Sequence, residues 1–345
     1  MFVIYARNPN EALAKGIDTI SQYGEALESR NGPTLELPQP TATVYSKPWE
    51  RVLISAVRDA NPFFHLMEAI WILAGRYDVK FLAEFNKRMV DYSDDGIEFN
   101  APYGYRMRNT VSESSKQSGP VDQVGKVIDI LKLDPGSRQA VIQIWDSEDL
   151  TKSTKDKACN MSVVFRIRNG KLCLTVYNRS NDMIWGAYGA NVVQFSMLQE
   201  YVAANLGLPL GEYTQVTNSY HVYTSGVGGE LWDKLQSEYT YESSNDIYDS
   251  SVHSSVYMNR QDMDSGDFQR DLNLLFNTYD EFGLKEVSEL ECWRSDYFKQ
   301  LILPVLCVFL IHKQYGASEA LKYANCIQDD AWKLGIISWL VKRVK

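Results

Sequence analysis

The sequence lacks any apolar run long enough to cross a bilayer: the longest, Leu301 to Ile311, is short and contains a proline. Its first residues, MFVIYARNPNEAL, lack the charged and then apolar layout of a signal peptide. Cysteine is sparse. The five residues, Cys159, Cys173, Cys292, Cys307 and Cys326, show none of the short paired spacings of a zinc site, so no metal is expected. Four of them read as buried small apolar residues. Cations are outnumbered, and a net charge of -9 argues against nucleic acid or an anionic membrane as the main partner, because either would be repelled over most of the surface. These absences leave a cytoplasmic globular chain. A phosphate ester could be its substrate only where a local arginine cluster overcomes the field.

What is present is ordinary in bulk, with 45% hydrophobic and 23% charged residues among 345, enough for a large core in one domain with an appendage or in two. In PFFHLMEAIWILAG, Phe63, Leu66, Ile70 and Leu73 recur at helical spacing, with Pro62 at a start position and Gly75 at a stop. This is a core helix, yet it carries Glu68. The runs SVVFRIR and LCLTVY, joined through Asn169 and Gly170, predict an antiparallel hairpin, since an Asn-Gly pair readily takes the positive φ of a tight turn. Val192, Phe195, Leu198, Val202 and Leu206 then share one helical face that ends at Gly207. The central region is therefore α+β. Composition shifts to Ser, Tyr, Asp and Asn from Thr240 to Met258, and helical patterns follow. The expected divisions are a catalytic domain over 1–235, a loop or linker over 236–265, and a helical C-terminal extension over 266–345. No internal repeat is visible.

Cys159 stands immediately before the first hairpin strand, and the second strand runs into Asn178-Arg179-Ser180-Asn181-Asp182. A hairpin returns its ends to one place, so Arg179 is expected beside Cys159, where a guanidinium would favour the nucleophilic thiolate. A lone cysteine beside a strand is also what simple packing produces. The order of motifs around it decides between the two.

Seven pieces, SRNGPTLEL, HLMEAIWILAG, DDGIEFNAPYGYRMR, DPGSRQAVIQIWD, the Cys159 segment, RSNDMIWGAYGANVVQFSMLQEY and SYHVY, follow one another across roughly residues 25 to 225. In content, order and spacing this series resembles the thymidylate synthase family. The resemblance implies a large bent mixed β-sheet with flanking helices, paired sheet to sheet as a homodimer. It also implies that Cys159 attacks C6 of a pyrimidine nucleoside monophosphate, so that C5 can take the one-carbon unit of 5,10-methylenetetrahydrofolate. Arg30, Arg179, Ser180 and, from the partner subunit, Arg138 would hold the 5′-phosphate, a task suited to bidentate donors. His221 and Tyr223 would bind the sugar hydroxyl. Glu68 and Tyr103 would organise water and proton transfers. Asp182 would contact the folate pterin. Five of these residues also have a bland reading: a structural ion pair for Glu68, a turn for Tyr103, surface charge for Arg30 and Arg138, a satisfied core histidine for His221.

Three departures separate the chain from strict synthases. No Trp lies between Trp71 and Trp145, Cys159 is followed by Asn160 in place of histidine, and the last residues are Val341-Lys342-Arg343-Val344-Lys345. Phe85 and Tyr92 are the aromatics that could stand in for the missing Trp. In the same places the sequence resembles the phage deoxycytidylate hydroxymethylases, which share the RSND segment and the S-x-H-V-Y ending. Admission of water to the exocyclic methylene formed on the pyrimidine would then give a hydroxymethyl group, whereas exclusion of water gives methyl. A virus that makes modified DNA is the source this implies.

Base choice falls on Asn191, whose carboxamide can donate to O4 and accept from N3–H of uracil, which favours dUMP over dCMP. AYGAN is one residue longer than the family's usual spacing from Gly186, and an asparagine there could equally cap the next helix. The expected activity is folate-dependent hydroxymethylation of dUMP. Thymidylate synthase, dCMP hydroxymethylase and a non-catalytic nucleotide-binding relative are the alternatives.

Overall fold

Asn169 and Gly170 take φ of 51° and 72°, the paired left-handed values that let two residues reverse a chain between strands. The computed structural model, which describes residues 1–111, 119–241, 246–249 and 254–344, builds outward from the hairpin they close. Its strands are β1 (Phe2–Ala6), β2 (Glu25–Ser29), β3 (Gly32–Glu36), β4 (Thr41–Tyr45), β5 (Val141–Gln143), β6 (Asn160–Arg168), β7 (Lys171–Asp182) and β8 (Leu210–Tyr223). They form one eight-stranded sheet in the order β1-β4-β8-β7-β6-β5, with β3 also on β8 and β2 on β3. The β1/β4 and β7/β8 pairs are parallel and the rest antiparallel, so the sheet is mixed and the chain is α+β.

Along β7, Leu172, Leu174 and Val176 are buried while Cys173, Thr175 and Tyr177 alternate onto the other face, the period of a pleated strand. Helix Asn191–Leu206 packs against β7 and β8, and helix Pro62–Leu73 packs on that helix. Helix Pro62–Leu73 is buried along its whole length, with its N-terminus capped by Asn61 and its chain turned at Gly75, φ 70°. Helix Asn191–Leu206 is buried to Ala204 and ends at Gly207, φ 65°. Both match the sequence reading. Among the described residues no helix is long and apolar enough to cross a membrane.

The C-terminal helices Asp267–Phe282, Leu303–Tyr315 and Asp330–Val341 join the same hydrophobic core. Phe63 packs its ring 5.3 Å from that of Phe309 and 5.5 Å from that of Trp339. Phe63→Ala is therefore expected to cost about 3–5 kcal/mol by urea unfolding, the range for deleting a buried ring. A loss under about 1 kcal/mol would mean that these helices are not held by the packing around Phe63. Phe85 belongs to the same cluster, 4.5 Å from the Phe309 ring, and Tyr92 is exposed. Phe85 is therefore committed to the core and does not stand in for the missing tryptophan.

One sequence expectation changes here. Cys292 and Cys326 are exposed and Cys173 and Cys307 only partly buried, because the first two lie in connections between helices, which run over the surface. Of the segment 236–265, Tyr248, Met258 and Asp262 are buried. Residues 242–245 and 250–253 of that segment lie outside the described residues.

Candidate active site

The hairpin register places Asn160 opposite Asn178, which brings Cys159 beside Arg179, and the backbone N–H of Arg179 donates to Cys159 O at 2.9 Å. A register shift between Asn160 and Ser162 bulges β6 next to the cysteine, a device that re-aims side chains at strand ends. Arg179 Nη2 lies 3.6 Å from Cys159 Sγ, and Nε and Nη2 also donate to the carbonyls of Ala158 and Lys157. The juxtaposition is as expected, but its electrostatic result differs. Burial pushes the Cys159 thiol up, and the charge of Asp156 adds to this, against the opposing pull of Arg179 and Arg30. Desolvation outweighs the two guanidinium groups, so the resting form is the thiol.

Tyr103 begins the short helix Tyr103–Arg108, and its hydroxyl lies within hydrogen-bonding reach of the Asn160 side chain and the Cys159 backbone. Burial first, then the Cys159 and Asp156 charges, push that phenol far up, so it stays a neutral donor. Gly104 permits the approach: a Cβ there would stand 2.2 Å from Ile72 O, on the helix that carries Glu68. Glu68 is buried, and burial raises its carboxyl to about 7 although Gln194 Nε2 donates to Oε2 at 2.7 Å and works the other way. A carboxyl balanced near neutrality can both give and take a proton there.

Met183–Ala190 is wound as a π-helix with a kink at Gly189, φ -105° and ψ -106°. A π turn takes in one residue more than an α turn, which offers a way to take up the extra residue that the sequence reading expected before Asn191. Asn191 stands at the start of its helix, but Ala190 is the cap residue and the Asn191 side chain makes no cap bond. Its Nδ2 instead reaches Asn181 Oδ1 at 3.3 Å and Asn160 Oδ1 at 3.5 Å, beside the cysteine. Gly186 allows the fold-back, since a Cβ there would meet Asn181 Oδ1 at 2.1 Å.

Asp182 caps the π-helix through Oδ1, which accepts from Ile184 and Trp185 N at 2.7 Å each, while its buried Oδ2 has no partner among the described residues. Burial raises its pKa against these amides, His221 and Arg58. Arg58, also buried, donates Nε to Ile184 O at 2.9 Å and lies 4.3 Å over the ring of exposed Trp185. His221 pairs with Asp182 across β7 and β8 and sets its ring edge-on to Tyr223, 5.3 Å away. The Tyr223 hydroxyl accepts from Asn31 at 3.4 Å, which ties the β2–β3 turn carrying exposed Arg30 to this wall. Ser180, half-buried on β7, completes it.

Arg138 is the predicted residue that the chain does not bring in: it sits exposed ahead of β5, with no side-chain partner among the described residues. Sequence reading missed Asn160 as a buried contact, Gln194 and Arg58. Asn160, adjacent to Cys159, and Gln194, three positions after Asn191 on one helix, had sequence neighbours that could have marked them, whereas Arg58 reaches the site from a distant segment.

Comparison with known proteins matches a thymidylate synthase family model to residues 14–265. The chain is 36% identical to a deoxyuridylate hydroxymethyltransferase of Pseudomonas phage M6 over 351 residues, covering 99% of this chain and 95% of the relative. It is 40% identical to a protein of the same description from Bacillus phage SP01 over 243 residues, 69% of this chain and 63% of the relative. It is also 28% identical to a putative thymidylate synthase of Methanosarcina barkeri, covering 68% of this chain and 93% of that one.

Proposed function

The chain belongs to the thymidylate synthase family, and on that premise we propose that it transfers a one-carbon unit to C5 of dUMP and delivers 5-hydroxymethyl-dUMP. The observation that carries the choice of product is the near full-length similarity to a deoxyuridylate hydroxymethyltransferase. It agrees with a sequence that has Asn160 after the cysteine and no tryptophan between Trp71 and Trp145.

In this reading Arg179, Arg30, Ser180 and the partner subunit's Arg138 bind the 5′-phosphate, and His221 and Tyr223 the sugar. Asn191 presents an amide donor and acceptor to O4 and N3–H of uracil. Cys159, deprotonated as the substrate binds, adds to C6. Tyr103 and Glu68 shuttle the C5 proton, a role suited to a carboxyl at about 7. Bound 5,10-methylenetetrahydrofolate supplies the one-carbon unit. The residues fit such a group: the unpartnered, buried Asp182 Oδ2 can accept from ring N–H donors, and Trp185, backed by Arg58, offers an apolar face. A homodimer accords with the sheet face opposite the core, where Val141 and Tyr177 are exposed and Val164, Thr175, Thr214 and Val216 half-covered.

Incubation with methylene-tetrahydrofolate and either dUMP or dCMP, read by product mass, tests the reading. A hydroxymethyl adduct of dUMP is expected, and a methyl product with dihydrofolate would make the chain a synthase. Asn191→Asp is expected to move the dCMP to dUMP preference by about 10- to 100-fold in kcat/KM, since a protonated carboxyl donates where cytosine N3 accepts. An unchanged ratio would remove Asn191 from base reading.

A further inference from the structure

We propose that Gln194 is the positioning residue for the Glu68 carboxyl and for the water molecule that completes hydroxymethyl transfer. The inference rests on the reaction proposed above. Gln194 follows Asn191 by three positions on helix Asn191–Leu206, so the two amides lie on one helical face, Asn191 beside Cys159 and Gln194 against Glu68. Its Nε2 donates to Glu68 Oε2 at 2.7 Å, the orientation that serves the ionised carboxylate, which only accepts. The carbonyl then faces away. That Oε1 is buried, in a residue only 5% exposed, and has no partner among the described residues. A buried amide oxygen left unsatisfied is unfavourable, and an acceptor held one amide width from a carboxylate is the arrangement that fixes a water by one O–H while its other proton points at the base.

The step balances without any redox partner. The water oxygen forms a bond to the exocyclic methylene carbon, the methylene π pair moves into the ring as the C4 enolate, and the water proton passes to Glu68. The enolate then collapses, C5=C6 re-forms, and the C6–S bond breaks to release Cys159. Gln194 exchanges no proton in this sequence. It sets where the water stands and, by donating to Glu68, keeps that carboxyl from rising further.

The test uses Gln194→Met, which keeps length and loses both polar atoms, and Gln194→Glu, which restores an oxygen of the same shape. Each is assayed with methylene-tetrahydrofolate and C5-tritiated dUMP, with tritium release and hydroxymethyl product measured in parallel across pH. For Gln194→Met, product formation is expected to fall at least tenfold relative to tritium release, with the acidic limb of the rate profile displaced to higher pH and KM for dUMP within about threefold. Gln194→Glu is expected to recover part of the product at low pH, where its carboxyl is protonated and can donate. Equal loss of both readouts with an unmoved limb, or no loss of either, overturns the proposal. Should the wild-type product be methyl, the hydroxymethylation reading fails by itself, and the displacement of the limb still reports whether Gln194 positions Glu68.

Discussion

Replacing Cys159 by serine is expected to lower kcat by about 10⁴-fold or more, the scale on which loss of a covalent nucleophile falls, with dUMP affinity kept within about threefold. A serine hydroxyl keeps the volume at the head of β6 but ionises far less readily than a thiol. Of the residues proposed to hold phosphate and sugar, Arg179 touches the sulfur, at 3.6 Å, but the carbonyls of Ala158 and Lys157 also hold it, so binding should survive. Calorimetric titration with dUMP and the turnover assay separate the two effects. Substantial residual turnover would remove Cys159 from the mechanism. The resting thiol adds a second readout: because burial holds it above the ordinary range, alkylation of the free protein by iodoacetamide should still be rising at pH values where a free cysteine, near 8.5, has levelled off.

The pairing of Cys159 with Arg179 was legible in the sequence because it is local. An Asn-Gly turn fixes the register of its hairpin, and register decides which residues stand opposite at the far end. Helix Pro62–Leu73 was legible for a similar reason, since a 3.6-residue repeat bounded by Pro and Gly has one reading. The sign of the thiol shift was not, because it is a contest between desolvation and two guanidinium groups, and depth of burial is a property of the assembled fold. Asn191 shows another limit. A one-residue insertion can be taken up by a π turn or by displacement of the side chain, and only backbone geometry distinguishes these. The contacts of Gln194 and Arg58 escaped because their partners, Glu68 and Ile184, lie 126 positions away in each case, and a single sequence carries no trace of such pairing.

Glu68→Gln is expected to move activity and stability in opposite directions. Burial sets the Glu68 proton at about 7, above the ordinary glutamate value of 4.5, so the folded state favours the neutral acid. That contribution is fully present below the unfolded pKa and is lost as pH rises towards 7. Above it the fold carries a buried carboxylate at a cost of about 3 kcal/mol relative to the acid. A glutamine is neutral at every pH and still offers Gln194 Nε2 an acceptor. The variant should therefore gain up to about 3 kcal/mol over wild type at pH 8 and much less at pH 5, as compared by urea midpoints at the two values. Over the same range kcat should fall by about 10²–10⁴-fold, the usual worth of a placed acid or base, and the limb of the rate profile near pH 7 should disappear. A variant equally destabilised at both pH values would make Glu68 the half of a structural pair with Gln194. Retained activity with the limb intact would transfer the proton chemistry to another group.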